Sequence, residues 1–196
     1  MSNLTFNDLS TVDHMTHVSN LEGILSQGLL PHNNSFQKVD ISNRAVNNRR
    51  DMAEPIYKKK IHDYVPFYFN ARNAMLYANK NEHIVILGFN KNIISTEGAL
   101  YTNGNAAKGG TYFSNDEAFL ESLDWNAVFS ERWCSYGTYD ESIKSKMMSE
   151  LLIPNNVSID DLEVIFCESD VIKKHIMDTH SLDENIEVVV APHLFF

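Results

Sequence analysis

Apolar and polar positions along the chain fall into short runs of two kinds. Residues 65–69 (VPFYF) and 84–89 (IVILGF) are almost continuously apolar and of strand length, which predicts two strands at the centre of a sheet. Residues 13–18, 162–167 and 186–190 read as further strands. Glu150-Leu151-Leu152-Ile153-Pro154 reads as a short apolar one that Pro154 stops. Helical spacing follows Ser19-Asn20-Leu21-Glu22, a capping-box pattern: Leu21, Ile24 and Leu25 form one face and Gly28 supplies the left-handed stop, so residues 20–27 are predicted helical. A second box, Ser114-Asn115-Asp116-Glu117, opens a helix through residue 123. Residues 125–133 read as its continuation or a packed neighbour, residues 143–148 as another turn, and Ser169 as the cap of a helix between the last two strands. Five or so short strands mixed with short helices, without regular alternation, predict an α+β domain and not a doubly wound one.

The stretch from residue 31 to 60 breaks the pattern. It is polar and Asn-rich, with Val39, Ile41, Ala45 and Val46 as its scattered apolar positions, and is expected to be half loop and half short helix. A polar segment of about thirty residues inside a small domain is more often functional than idle.

The 196 residues, 43% hydrophobic and 21% charged, suffice for one globular domain with its own core, residues 1–196. No apolar run approaches the roughly 20 residues of a membrane helix, and MSNLTFNDLSTVDH lacks the basic and apolar regions of a secretory signal, so a cytoplasmic protein without membrane attachment is expected. Cys134 and Cys167 lie far apart without metal-type spacing and read as buried or idle thiols. The net charge of −10 argues against a protein that coats nucleic acid through a general positive field. Yet half of the sixteen Lys and Arg residues fall between Lys38 and Arg72, a basic zone able to admit an anionic nucleotide or a short single strand. The run Lys58-Lys59-Lys60 within it is equally well a solvated positive face.

Glycine spacing excludes a dinucleotide-binding or P-loop turn, and HExxH, GxSxG and clustered His/Cys sets are absent, so no metal is expected. Four segments remain: His14-Met15-Thr16-His17; Asn47-Asn48-Arg49-Arg50; residues 63–69 with Met75-Leu76-Tyr77; and Glu150 on the edge of an apolar strand. Singly, His14 could be a satisfied core histidine, the tyrosines ordinary core, and Glu150 the point where a strand meets solvent.

Together, in order and wording, they resemble the DarT-type DNA ADP-ribosyltransferase toxins of the DarT/DarG toxin-antitoxin family. A family opening like His-Ile-Thr-His, then Asn-Leu and an Ile-Leu helix ending at Gly-Leu, is similar to residues 14–29. A closing arginine pair corresponds to Arg49-Arg50, and a block like His-Asp-Tyr-Val-Pro-Phe-Tyr-Phe followed by Met-Leu-Tyr to residues 62–77. Downstream, Tyr101-Thr102-Asn103 resembles a Phe-Thr-Asp stretch, Asp124-Trp125 an Asp-Trp pair, and Met148-Ser149-Glu150 a Gln-Ala-Glu strand. The chain departs from the pattern at Asn105, where the family often has histidine, and in a lengthened segment around residues 135–142. Both lie where target-strand contacts are expected.

The resemblance implies a single-domain ADP-ribosyltransferase (ART/PARP-like) fold with a central split mixed β-sheet flanked by short helices. It implies NAD⁺ as substrate without a metal, and Glu150 and Arg50 as the catalytic pair. For NAD⁺ binding it implies His14, Thr16, Asn20, Gly23, Tyr68, Met75 and Tyr77, with the tyrosines walling the nicotinamide and residues 39–51 closing over it. Arg44, Asn47, Arg72 and Asn105 are implied for nucleic acid. The expected reaction is ADP-ribosylation of a base in single-stranded DNA, thymine at N3, by a monomer, blocking replication, with a macrodomain antitoxin of DarG type as counterpart. The alternative is an enzyme of the same fold acting on RNA or on guanine in DNA, for example in phage defence.

Overall fold

Glycine, proline and the long apolar runs fix where this chain turns and where it pairs. The computed structural model describes residues 3–32, 34–42, 44–135 and 137–196, with the side chains of Arg44, Ala45 and Ser135 outside the description. In chain order the elements are β1 (Thr11–His17), α1 (Leu21–Gln27), α2 (Arg44–Arg50), β2 (Tyr64–Tyr68), α3 (Ala74–Ala78), β3 (Ile84–Asn90), β4 (Leu100–Thr102) and β5 (Phe113–Ser114). They continue with α4 (Ala118–Glu121), α5 (Trp125–Val128), β6 (Cys134–Ser135), β7 (Thr138–Tyr139), α6 (Glu141–Lys146), β8 (Glu150–Pro154), β9 (Leu162–Cys167), α7 (Asp170–Thr179) and β10 (Glu187–Val190).

One mixed sheet runs in the order β10-β9-β3-β1-β2-β8-β4-β5; β9 and β10 are parallel, and the other neighbours antiparallel. β3 is buried along almost its whole length because both its faces are covered, which is why it reads as an unbroken apolar run. Val85, Leu87 and Phe89 point into the larger core with Phe67, Leu151, Trp125 and Ile176. Ile84 and Ile86 point into a second one with Met15, Tyr68 and Leu76. Tyr64, Leu100 and Leu152 form a third cluster under the loop before β2.

The sheet splits between β1 and β2, whose pairing is confined to Asp13 opposite Tyr68. The cause is in the sequence. Pro66 faces β1 two residues from Tyr68 and has no N–H to donate, so the ladder cannot continue there. The ring of His14 fills in, its Nδ1–H donating to the Pro66 carbonyl at 2.8 Å.

Helix ends differ in detail from the sequence reading. The 20–27 helix is present and ends at Gly28, whose φ is +77° and whose N–H donates to the Ile24 carbonyl. Its start is not the expected box: the Ser19 N–H and hydroxyl both engage His17 Nδ1, and Asn20 makes no capping bond. The helix expected through residue 123 shrinks to α4, while Asp124 caps α5 and Asp140 caps α6. Ser169 is at the N-cap position of α7 without a side-chain bond. No helix among the described residues is long and apolar enough to cross a membrane. Cys167 is buried and Cys134 exposed, both free.

Candidate active site

At the split, β1, α1, α2 and α3 surround a cavity of about 670 Å³. It is large enough for a dinucleotide-sized ligand by the usual scale of ligand pockets. Its floor comes from the end of β2 and its outer wall from the polar segment between residues 31 and 60.

That segment is pinned by one buried side chain. Asn20, 4% exposed, donates from Nδ2 to Thr16 Oγ1 at 3.0 Å and to the Val39 carbonyl at 2.8 Å. Its Oδ1 accepts from the Lys38 and Val39 amides at 2.8 and 3.0 Å. Both donors and both acceptor sites are therefore used inside the protein. Gly23 acts sterically, since a Cβ there would lie 3.0 Å from both Phe36 Cβ and the Phe36 carbonyl oxygen. A side chain there would have to push the segment back from α1 by a few tenths of an ångström.

α2 ends in Arg49 and Arg50, two cations in the last turn where the helix dipole favours them. Arg49 Nε donates to the Ala107 carbonyl at 3.0 Å, and Arg50 Nη2 to Glu150 Oε2 at 2.5 Å. Glu150 opens β8 opposite Tyr68 and is fully buried. Its Oε1 accepts from the Ala106 amide at 2.9 Å, and its backbone N–H is held by Thr102 Oγ1 at 3.0 Å. Burial opposes the charge on Arg50, but the Glu150 carboxylate and the Tyr68 hydroxyl together outweigh this and raise its pKa. Burial also pushes the Tyr68 hydroxyl up, with Glu150 adding to the effect, so that phenol stays neutral and donates to Met75 Sδ at 3.2 Å. His14 is shifted down by burial, partly offset by the Pro66 carbonyl; its neutral ring carries the proton on Nδ1 and leaves Nε2 as an acceptor.

A further pair braces α2 from outside. His32 and His62 stack with ring centroids 4.4 Å apart. Asn47 joins them, accepting from His62 Nε2 at 2.7 Å and donating to His32 Nε2 at 3.1 Å. Burial and the neighbouring His32 lower the His62 pKa, against the opposing pull of the Asp51 carboxylate.

The structure thus brings His14, Thr16, Asn20, Gly23, Asn47, Arg50, Tyr68, Met75 and Asn105 to one cavity. Glu150 stands behind that wall, reached through Arg50. Two positions fall elsewhere. Tyr77 lies on the outer side of α3, 46% exposed, and packs against Trp133 and Phe196. Arg72 is spent on the chain end: Nη1 bonds the His193 and Phe195 carbonyls, Nε bonds the Glu131 carbonyl at 3.1 Å, and the guanidinium lies over the Phe196 ring. The side chain of Arg44 is outside the described residues. Of the lysine run, Lys58 caps the Pro55 carbonyl and Lys60 pairs with Asp51 at 3.2 Å, so it serves its own loop. His32, His62, Lys108 and Ser145 also reach the cavity. His62 stands inside the most distinctive sequence block, whereas the others carry no local signal. Among the described residues no group of three or more His, Cys, Asp or Glu could hold a metal.

Set beside known proteins, residues 14–196 match the family model described as "DarT: ssDNA thymidine ADP-ribosyltransferase, DarT". A DNA ADP-ribosyl transferase of Thermus aquaticus is 29% identical over 156 residues, 71% of this chain and 67% of that protein. A DNA ADP-ribosyl transferase-DNA ADP-ribosyl glycohydrolase fusion protein of Thermosipho africanus is 23% identical over 93% of this chain, which spans 48% of the fusion. The fold is similar to that of Thermus sp. 2.9 DarT in complex with ADP-ribosylated ssDNA, with a TM-score of 0.82 at 24% identity and complete coverage of both chains. It is also similar to the same protein in complex with NAD⁺, with a TM-score of 0.78 at 23% identity, covering 98% of this chain and all of the other.

Proposed function

The chain belongs to the DarT family of ssDNA thymidine ADP-ribosyltransferases, which makes it an NAD⁺-dependent DNA ADP-ribosyltransferase, and on that premise we propose the following division of labour in its site. NAD⁺ occupies the cavity at the sheet split, with its nicotinamide carboxamide on the His14 Nε2 acceptor and Thr16, and its ring against Tyr68. Cleavage of the bond between nicotinamide and ribose passes through an oxocarbenium-like state, which a fixed carboxylate steadies. Glu150 is that carboxylate. It also takes the N3 proton of the thymine, an imide nitrogen that becomes a good nucleophile only once deprotonated; such a base contributes typically about 10²–10⁴ in rate.

The single observation that carries this reading is the Arg50–Glu150 pair at the cavity wall. Glu150 is completely buried and held by two donors, so it is preorganised yet covered. Arg50 lines the cavity, and a diphosphate offers its guanidinium two oxygens to engage at once. Drawn toward NAD⁺, Arg50 uncovers the carboxylate only when substrate is present. Asn20 and Gly23 then shape the lid and need not touch the dinucleotide, and Asn105 stands where the acceptor base would enter.

Incubation with NAD⁺ and oligonucleotides, read by mass spectrometry, tests the assignment. One ADP-ribose should appear on thymine-containing single strands and none on strands without thymine. Product on RNA or on a strand whose only candidate base is guanine would reassign the acceptor. We further infer a DarG-type macrodomain counterpart that removes the modification, a reading supported by the fusion of the two activities named for the Thermosipho relative. A bulky adduct on the pairing edge of thymine would block replication, which fits a cytoplasmic toxin and a role in phage defence.

A further inference from the structure

A second cavity of about 640 Å³ lies on the other side of the 103–111 loop, between that loop and the α5–α6 region. It shares Lys108, Glu141 and Ser145 with the first cavity, so the two open onto a common wall. Its lining is rich in hydroxyls and contains two lysines, with Gly109 and Gly110 facing open space and Phe119 as an apolar patch.

Each lysine is tied to a carboxylate of the same lining. Lys108 Nζ lies 3.0 Å from Glu141 Oε1, and Lys146 Nζ 2.9 Å from Asp124 Oδ2. All four side chains are between 40% and 59% exposed, and exposed pairs of this kind are weak. Both lysines also sit on the elements that hold the reactive carboxylate. Lys108 is on the turn that supplies the Ala106 amide to Glu150 Oε1, and the Lys146 carbonyl accepts from Ser149, which leads into Glu150.

We propose that this second cavity seats the nucleotide flanking the reacting base, its phosphate held by Lys146 and Lys108 in exchange for Asp124 and Glu141. The proposal rests on the reading of the first cavity as the NAD⁺ site. A polymeric acceptor needs room beyond the base that reacts, and this cavity begins at the wall where the first one ends. Phosphate displaces a carboxylate from an exposed lysine at little cost, whereas NAD⁺ in the first cavity never reaches Asp124. Paired in this way, the lysines give an acidic protein a local anion site without a general positive field, so duplex and bulk nucleic acid are not attracted.

The discriminating variant is Asp124→Asn. Asn keeps the side-chain oxygen that caps α5 through the Ala127 amide, yet frees Lys146 from its counter-ion. It should lower the KM for a thymine-containing oligonucleotide several-fold. Lys146→Ala should raise that KM, and the plot of log kcat/KM against log salt should flatten by about 0.7 for each phosphate that no longer meets a cation. KM for NAD⁺ is the comparison. If Asp124→Asn leaves oligonucleotide KM and salt slope unchanged while the wild type transfers normally, the second cavity is not an acceptor site. Equal shifts in the two KM values would likewise overturn it. A wild type that modifies no oligonucleotide removes the underlying reading as well.

Discussion

Replacing Arg50 by Ala leaves the Glu150 carboxylate without its cation, and the structure sets the size of the effect. Breaking a fully buried pair costs about 3–5 kcal/mol when the remaining charge stays dry. Here the deleted side chain is part of the cavity wall, so its removal lets water reach Oε2, while the Ala106 amide still holds Oε1 at 2.9 Å. A penalty of about 2 kcal/mol follows, nearer the cost of one unmade charged hydrogen bond. For a domain of this length that is a drop in Tm of about 4–8 °C. Thermal and urea unfolding of Arg50→Ala, Glu150→Gln and the double variant measure it. The double variant, having no stranded charge, should be more stable than Arg50→Ala alone. Arg50→Ala melting with the wild type, or further destabilisation on adding Glu150→Gln, would show that no stranded carboxylate charge is created.

Asn20→Ala removes four hydrogen bonds, three of which pin residues 38 and 39 and one of which reaches Thr16. It should cost about 2–4 kcal/mol by denaturant unfolding and raise KM for NAD⁺ more than it lowers kcat; an unchanged KM would separate the segment from the cofactor site. Asp13, on β1, has its pKa pushed up from 3.8 to about 7 by burial, against the Thr11 and Ala71 hydrogen bonds. The folded state keeps this proton up to about pH 7 and the unfolded state loses it near pH 4, so stability from this group is full at low pH and lost as pH rises through 7. Relative to Asp13→Asn, the wild type should therefore lose about 2–4 kcal/mol between pH 4 and pH 8, and a difference flat in pH would contradict the assignment. Gly28→Ala would place a Cβ 2.4 Å from the Val157 carbonyl oxygen at a φ of +77°, and should cost about 2–3 kcal/mol in a melting experiment; a neutral change would mean that the turn relaxes freely.

β2, β3 and β9 were legible because each is a local apolar run, whereas the two- and three-residue strands β4 to β7 carry no such run and were not read. The capping box at Ser19 failed because His17, two residues upstream, offered the Ser19 amide and hydroxyl a competing acceptor that box patterns ignore. Glu150 and Arg50 could be singled out from the sequence, but their pairing spans one hundred residues, and nothing near either one predicts full burial of the carboxylate. Arg72 illustrates the opposite error. Its place in a basic zone suggested a polyanion, yet in the fold the backbone carbonyls of His193 and Phe195 are its partners. Tyr77 follows the same logic, since helical spacing puts Met75 and Ala78 on the cavity side of α3 and turns Tyr77 away.

The central claim is that one preorganised carboxylate drives transfer. Glu150→Gln keeps the shape of the side chain and an oxygen for the Ala106 amide while removing the base. With NAD⁺ and a thymine-containing single strand, the rate of ADP-ribose transfer should fall by about 10²–10⁴, with NAD⁺ binding retained in a calorimetric titration. Transfer at the wild-type rate would take Glu150 out of the chemistry and leave the Arg50 pair a structural feature only.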